Sequence, residues 1–351
     1  MPSDYNEELK KKLTLKLRER LTALPPFIGE FFRGINDVKQ PRTKLNYAYD
    51  LSIFFNFLIT LPKFNDIPIA EFTVKDLAEV TSDDIEMFME HLTFYLRKTE
   101  NSVLETQNEA MGKSRKLAAV RTMFSYYYGK GRLTSNPSEL VHFPAVHSRN
   151  IIRLEANEAA DLLDEVESGE KLTDRQKEFH RHNMLRDLAI ITLMLGTGMR
   201  ISECIGIDIE HIDFDIGGVL VTRKGGDQSI LYFNDEVEAA LSDYLELRGL
   251  MVPQPGHEDA LFLSMQNRRI TDRAVQNLVK KYSRLITQIK NITPHKLRST
   301  YATNLYRETG DIYLVADALG HRDVNTTRKH YAHMDEERRR MAAKHIRLRE
   351  D

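Results

Sequence analysis

The sequence predicts a mainly α protein with one small β-sheet, an α+β chain folded as two domains. Three observations lead there. Apolar residues recur at helical spacing through most of the first half. A β-rich patch interrupts the second half, and a stretch with no apolar period separates the two. A length of 351 residues suits two domains better than one.

Each element follows from local chemistry. Lys10 to Leu24 is charged and amphipathic and is closed by Pro25 and Pro26. Thr43 to Leu58 places Leu45, Tyr49, Ile53 and Phe57 at near-helical spacing. Thr81, Ser82 and Asp83 offer N-cap chemistry to a helix carrying Ile85, Phe88, Met89 and Leu92. Ser114 to Tyr128 sets Leu117, Val120, Phe124 and Tyr127 on one side, with Lys113, Arg115, Lys116 and Arg121 around it. Asn136-Pro137 ends that region. Residues 1–141 therefore read as an all-helical domain of about four or five helices, and 142–156 as a linker. In the second domain (157–334), a helix spans roughly Glu155 to Glu167 and a charged segment, Glu170 to Asn183, projects as an insertion or exposed helix. Arg186 to Leu195 is apolar enough to be a buried helix. Val219 to Thr222 and Ser229 to Phe233 flank Gly225-Gly226-Asp227, a hairpin signal. Helical patterns return at Asp235–Leu250, Asp272–Ile289, His295–Arg307, Tyr313–Leu319 and Val324–Tyr331. A charged tail, 335–351, closes the chain.

Composition narrows the function classes only a little. A formal net charge of −2 does not announce a nucleic-acid partner, though basic residues clustered on one face would still suit one. The single cysteine, Cys204, allows no intrachain disulfide and lies in an apolar stretch, so it reads as a small buried residue. The first twenty residues are charged and lack an apolar signal core, and no stretch approaches the ~20 apolar residues of a membrane span. A soluble, cytoplasmic protein is expected.

Five short segments carry chemistry together, although each alone is ambiguous. In Gly196-Thr197-Gly198-Met199-Arg200-Ile201-Ser202-Glu203, glycines break one helix and Thr197 can cap the next. Arg200 would then sit in a first turn, offering a forked donor beside free amides. Alone it reads more readily as a surface arginine paired with Glu203. Lys224 stands at the hairpin tip, where most lysines are merely solvated. In Thr293-Pro294-His295-Lys296-Leu297-Arg298, Thr293 is a plausible N-cap and Pro294 suits the first helical position. His295 and Arg298 then share a helix face. Leu319-Gly320-His321 and Tyr331 complete the set, ten residues separating His321 from Tyr331.

Taken in order, Arg200, Lys224, His295, Arg298, His321 and Tyr331 resemble the catalytic signature of the tyrosine recombinase (phage integrase) family. The family's TGxRxSE, HxLRxTxAT and LGH…TT…Y motifs are matched by Thr197 to Glu203, His295 to Thr303 and Leu319 to Tyr331. Thr43, Tyr47, Asp50, Leu51 and Phe54 resemble the first-helix pattern of the family's DNA-clasping domain. Within the family, Lys171 to Asp187, Val221 to Gly226 and Thr293 to Arg298 are most like XerS-type recombinases, which act alone to resolve chromosome dimers. The ten-residue His321–Tyr331 step, where many Xer proteins have nine, and Ser299, where a second histidine is common, fit an integrase of a mobile element as well.

The resemblance implies a SAM-like helical DNA-clasping domain followed by a tyrosine-recombinase catalytic domain. It implies a covalent 3′-phosphotyrosine on Tyr331, with Arg200 and Arg298 on the phosphate and Lys224 as acid for the 5′ oxygen. His295 would accept a proton or bond the phosphate, His321 would be a further donor, and Glu203 would orient His295 or Arg200. No metal or other cofactor is expected. The partner would be a double-stranded recombination site, bound as a dimer per site and a tetramer in synapsis, with the tail docking in trans and an activating protein left open. Lys113, Arg115, Lys116 and Arg121 are the candidate basic face for DNA. A type IB topoisomerase would share the covalent chemistry, and a non-catalytic architectural protein could share the scaffold.

Overall fold

The computed structural model describes residues 5–98, 102–145, 152–223, 226–321, 323 and 324. The chain divides between Arg149 and Asn150 into two compact units. Among the described residues, no helix is long and apolar enough to cross a membrane.

The first unit contains α1 (Tyr5–Leu21), α2 (Ile28–Gly34), α3 (Pro41–Leu58), α4 (Val74–Ala78) and α5 (Ser82–His91), then β1 (Phe94–Lys98), β2 (Val103–Gln107) and α6 (Ala110–Gly129). Its core is aromatic: Phe31, Phe54, Phe55, Phe88 and Phe124 are fully buried. Phe54 meets Phe88 edge-on with ring centroids 5.1 Å apart, the arrangement that ring quadrupoles favour. Thr81 caps α5 through a reciprocal box, its hydroxyl accepting from the Asp84 amide while Asp84 accepts from the Thr81 amide. The antiparallel hairpin β1–β2 is a departure from an all-helical unit. Phe94, Tyr95 and Leu96 pair with Gln107, Thr106 and Glu105, and Phe94, Tyr95, Val103 and Thr106 are the aromatic and β-branched residues that strands prefer.

An ion pair with one buried partner ties α3 to α6. Arg115 reaches across to the buried carboxylate of Asp50. Burial nevertheless pushes the Asp50 pKa up to about 6, against the pull of Arg115 and Lys116.

The second unit contains α7 (Ala156–Ser168), α8 (Asp174–Thr197), α9 (Ile201–Ile205), β3 (Ile212–Asp213), β4 (Gly218–Thr222), β5 (Gln228–Tyr232), α10 (Asp235–Gly249), α11 (Asp272–Ile286), α12 (Pro294–Thr309) and α13 (Ile312–Ala318). The strands form one antiparallel sheet in the order β3-β4-β5, with Thr222 opposite Gln228 at the hairpin end. The charged segment after Glu170 does not simply project. Its later part is the first half of α8, one 24-residue helix whose second half is apolar and buried. His180 and Asn183, from the charged half, are buried too. The Tyr282 hydroxyl donates to Asp187 Oδ2 at 3.1 Å and lies 3.0 Å from His180 Nδ1. With that single proton committed to Asp187, the hydroxyl can only accept from the imidazole. This chain of bonds docks α8 on α11. Val324–Tyr331 and the tail 335–351 lie outside the described residues, Val324 itself excepted.

The raised Asp50 pKa makes the stability of the first unit depend on pH. Its folded pKa exceeds the ordinary value of 3.8, so the folded state holds more protons between about pH 4 and 6. Stability should therefore rise as pH falls through that window. Lowering the pH from 7 to 5 should stabilise the wild type relative to Asp50→Asn by on the order of 1 kcal/mol in denaturant unfolding. A difference that stays constant with pH would show that Asp50 ionises as freely as in the unfolded chain.

Candidate active site

The site is assembled where four helices end or begin near one hairpin. α8 stops at Thr197 because Gly198 takes a left-handed conformation, φ +63°, and its amide returns to the Met194 carbonyl at 3.1 Å. Thr197 does not cap the following helix. Its hydroxyl donates back to the Leu193 carbonyl at 2.6 Å, and Arg200 itself occupies the N-cap position of α9. The Arg200 amide donates to Glu203 Oε2 and its Nη1 to Oε1, both at 2.7 Å, so one carboxylate fixes the residue at both ends. The Arg200–Glu203 pair that the surface reading expects is present, with the Arg200 side chain partly exposed.

Glu203 is buried and gathers more than one cation. Arg223 Nη1 lies 3.8 Å from Oε1 and Arg298 Nη1 4.0 Å from Oε2. The same three arginines reach forward to successive carbonyls at the end of α13. Arg223 donates to Ala318 at 3.1 Å, Arg298 to Leu319, and Arg200 to Gly320 at 3.4 Å. Carbonyls at a helix C-terminus lack intrahelical donors and carry partial negative charge, so guanidiniums suit them. Arg298 also donates to the Gly198 carbonyl at 2.7 Å, and its Nη2 lies 3.5 Å from His321 Nε2. Gly320 turns at φ +59°, and the His321 amide returns to the Ala316 carbonyl at 2.9 Å.

A cleft of about 350 Å³ opens beside this cluster, lined by Arg200, Arg223, Gln228, Gly320 and His321, with Asp227 and Asp317 among its walls. Arg298 is buried behind it. His295, one turn earlier on α12, is exposed, so the shared face splits into a buried and a solvated position. Lys224 and Tyr331 lie outside the described residues. Among the described residues, no group of three or more His, Cys, Asp or Glu could hold a metal ion. Cys204, next to Glu203, is buried and its thiol is pushed up to about 12 by burial and by that carboxylate, so it stays protonated and inert. Burial likewise raises the Tyr301 hydroxyl, although Arg223 and Arg298 pull the other way.

The basic residues of α6 do not share one solvated face. Lys116 is buried and donates to Asn108 Oδ1 at 2.6 Å. Arg121 donates to the Ser138 and Val141 carbonyls and stacks 4.3 Å above the Phe143 ring. Arg115 is half-exposed beside Asp50, and Lys113 donates to Thr93 Oγ1 at 2.7 Å. Sequence reading missed two features. Arg223 looks like an ordinary strand-end arginine until the fold brings it to Glu203. The exposed stripe of α11, Arg273, Gln276, Asn277, Lys280 and Arg284, was legible from its helical spacing.

The absence of a side chain at Gly198 is a geometric requirement. A Cβ there would stand 2.2 Å from the Tyr301 ring, on a left-handed backbone. Gly198→Ala should cost about 2–3 kcal/mol and lower the Tm by several degrees. An unchanged melting curve would mean that Tyr301 moves aside freely.

Residues 153–338 match the model of the phage integrase family. The tyrosine recombinase XerC of Caldanaerobacter subterraneus is 35% identical over 342 residues, covering 95% of this chain and 89% of that protein. The tyrosine recombinase XerS of Streptococcus thermophilus is 30% identical over 347 residues, covering 91% of this chain and 95% of its own. In fold, the chain is similar to the XerH site-specific recombinase crystallised on difH substrate before cleavage, at 20% identity and a TM-score of 0.60 over 87% of this chain and 78% of that one. An arginine cluster built on these motifs, within a chain matched along nearly its whole length, makes this protein a member of the phage integrase family, the tyrosine-type site-specific DNA recombinases.

Proposed function

We propose that the chain cuts and rejoins DNA through a covalent 3′-phosphotyrosine on Tyr331, with the scissile phosphate seated in the arginine-lined cleft. The observation that carries this reading is the convergence of Arg200, Arg223, Arg298 and His321 around Glu203 and one cleft. The Tyr331 oxygen attacks phosphorus, an O–P bond forms, and the P–O5′ bond breaks. Negative charge grows on the non-bridging oxygens, where fixed forked donors act most strongly. Arg200, held at both ends by Glu203, and Arg298, held by two carbonyls, lose little freedom when they take up those oxygens. Tyrosine has an ordinary pKa near ~10, so its proton must leave during attack, and His295 is the candidate acceptor. Lys224 protonates the departing 5′ oxygen, and His321 adds a donor. The covalent link retains the bond energy, so religation needs no further energy source.

Both units grip DNA in this reading. In the first, Lys113 and Arg115 remain the candidates of the predicted quartet, since Lys116 and Arg121 serve the fold. In the second, the exposed stripe of α11 offers three cations and two amides to a duplex. A dimer on each site and a tetramer in synapsis follow from the family's mode of action, with the tail 335–351 reaching a neighbouring protomer. Near-full-length similarity to XerC and XerS supports a role in resolving chromosome dimers, in the cytoplasm where that DNA resides. The ten-residue His321–Tyr331 step keeps excision or integration of a mobile element as the second reading.

Covalent trapping tests the chemistry. Wild-type protein and Tyr331→Phe are incubated with nicked DNA carrying the candidate site and resolved on a denaturing gel. A protein–DNA band should form with the wild type alone. A band of equal strength with Tyr331→Phe would remove Tyr331 as the nucleophile, and no band with either on demonstrably bound DNA would favour an architectural role. A second expectation concerns affinity. Replacing Lys280 and Arg284 together by alanine should reduce the slope of log K against log salt by about 2, because each side chain neutralises one phosphate. An unchanged slope would place α11 away from the backbone of the duplex.

A further inference from the structure

Arg223 is the arginine of the cluster to which the motifs assign no role. We propose that it is a positioning residue for His321, an inference that rests on the reading of His321 as a donor in the proposed reaction. Its guanidinium grips the turn that closes α13, and through that turn it sets where the imidazole meets the scissile phosphate.

The turn has little hold of its own on the fold. α13 has seven residues and packs on α12 through a small apolar cluster, Val315 and Leu319 against Ala302 and Tyr306. Gly320 then reverses the chain at φ +59°, its amide returning to the Asp317 carbonyl at 2.7 Å and the His321 amide to Ala316 at 2.9 Å. The carbonyls of Ala318, Leu319 and Gly320 lie past these bonds, and each meets an arginine instead. Arg298, on Leu319, belongs to α12, the helix on which α13 already rests. Arg200 meets Gly320 at 3.4 Å, a long bond, made by a guanidinium that the phosphate also needs.

Arg223 ties the turn to a second element, the sheet. Its Nη2 donates to the Ala318 carbonyl at 3.1 Å. Its guanidinium lies against Gly320, where a Cβ would stand 2.8 Å from Cζ and Nη1 and 3.0 Å from Nε. The bare Gly320 is therefore what lets the guanidinium reach the turn that carries His321. On the other side, Nη1 is 3.8 Å from Glu203 Oε1, so the carboxylate that fixes Arg200 draws in Arg223 as well. The backbone is anchored too. Arg223 follows β4, whose Val219 and Val221 are buried, and its amide donates to the Asp227 carbonyl at 2.7 Å. A turn gripped both from the sheet and from α12 cannot swing about either alone. Displacing a reacting group by about 1 Å can cost on the order of 100-fold in rate.

Kinetic coupling between the two residues tests this. Single-turnover cleavage of a nicked site would be timed with the whole chain, with DNA binding and melting curves measured alongside. His321→Ala should slow cleavage by about 100-fold, the usual cost of one lost donor. Arg223→Gln should slow it by about 30-fold. The double variant should be within about threefold of His321→Ala, because a turn without its imidazole has nothing left to place. An arginine that bonded the phosphate itself, or that served stability alone, would act independently, and the two losses would multiply to on the order of 10³-fold; that product would overturn the proposal. So would a wild-type rate in Arg223→Gln. His295→Ala, which alters an exposed position on α12, is the control. Its loss should multiply with that of Arg223→Gln, and a shared limit there as well would show a general collapse of the site and overturn the positioning of His321. Arg223→Lys keeps the charge beside Glu203 and loses the fork. It should show the same coupling at about 10-fold and stands in if the glutamine variant fails to fold. Wild-type cleavage by His321→Ala would remove His321 from the reaction and Arg223's role with it, a result distinct from a multiplied loss.

Discussion

One buried carboxylate organises the site. Glu203 touches Arg200 through two hydrogen bonds and lies within 4.0 Å of Arg223 and Arg298. Guanidiniums repel one another, and three would not gather beside a cleft without an anion among them. A lone buried carboxylate would be equally unfavourable without cations. Each makes the other tolerable, and the row of carbonyls at Ala318, Leu319 and Gly320 takes up the donors that Glu203 leaves. The end of α8, the start of α9, the hairpin tip, α12 and the turn after α13 are all fastened to this cluster.

The fold supplies what the cluster needs through two residues without side chains. Gly198 leaves room for the Tyr301 ring and exposes its carbonyl to Arg298. Gly320 leaves room for the Arg223 guanidinium and exposes its carbonyl to Arg200. Both adopt positive φ, so each position is closed to other residues by backbone as well as by space. Arginines and glycines here form a single packing unit.

Much of this is legible in the sequence, and the failures have identifiable causes. The helices announce themselves by period, and α3, α10 and α12 lie within two residues of their expected starts. Arg200, Arg298 and His321 can be drawn from widely separated motifs because the family's order of residues is so particular. Spacing cannot say that His295 and Arg298, three apart on one helix, differ so sharply in burial. That depends on which side of α12 meets its neighbours. Composition cannot reveal that Lys116 and Arg121 are occupied by Asn108 and by loop carbonyls, since those partners arise from the tertiary fold. The hairpin β1–β2 escapes because two short strands within a helical stretch give little periodic signal. Arg223 escapes because its environment comes from residues some twenty and nearly a hundred positions away.

The arrangement of three guanidiniums about one carboxylate also sets an electrical imbalance. The cluster retains two unneutralised positive charges, only partly offset by the carbonyl dipoles facing them. A resting phosphodiester brings one negative charge, whereas the five-coordinate phosphorus formed by an ionised tyrosine brings two. In the proposed reaction, the three arginines with Glu203 match the charge of the five-coordinate state better than that of the resting phosphodiester, and Asp227 and Asp317 in the cleft wall trim the excess. Before DNA binds, the arginines are held in place by Glu203 and by the carbonyls of Ala318, Leu319 and Gly320, so the site is organised for growing negative charge before any substrate arrives.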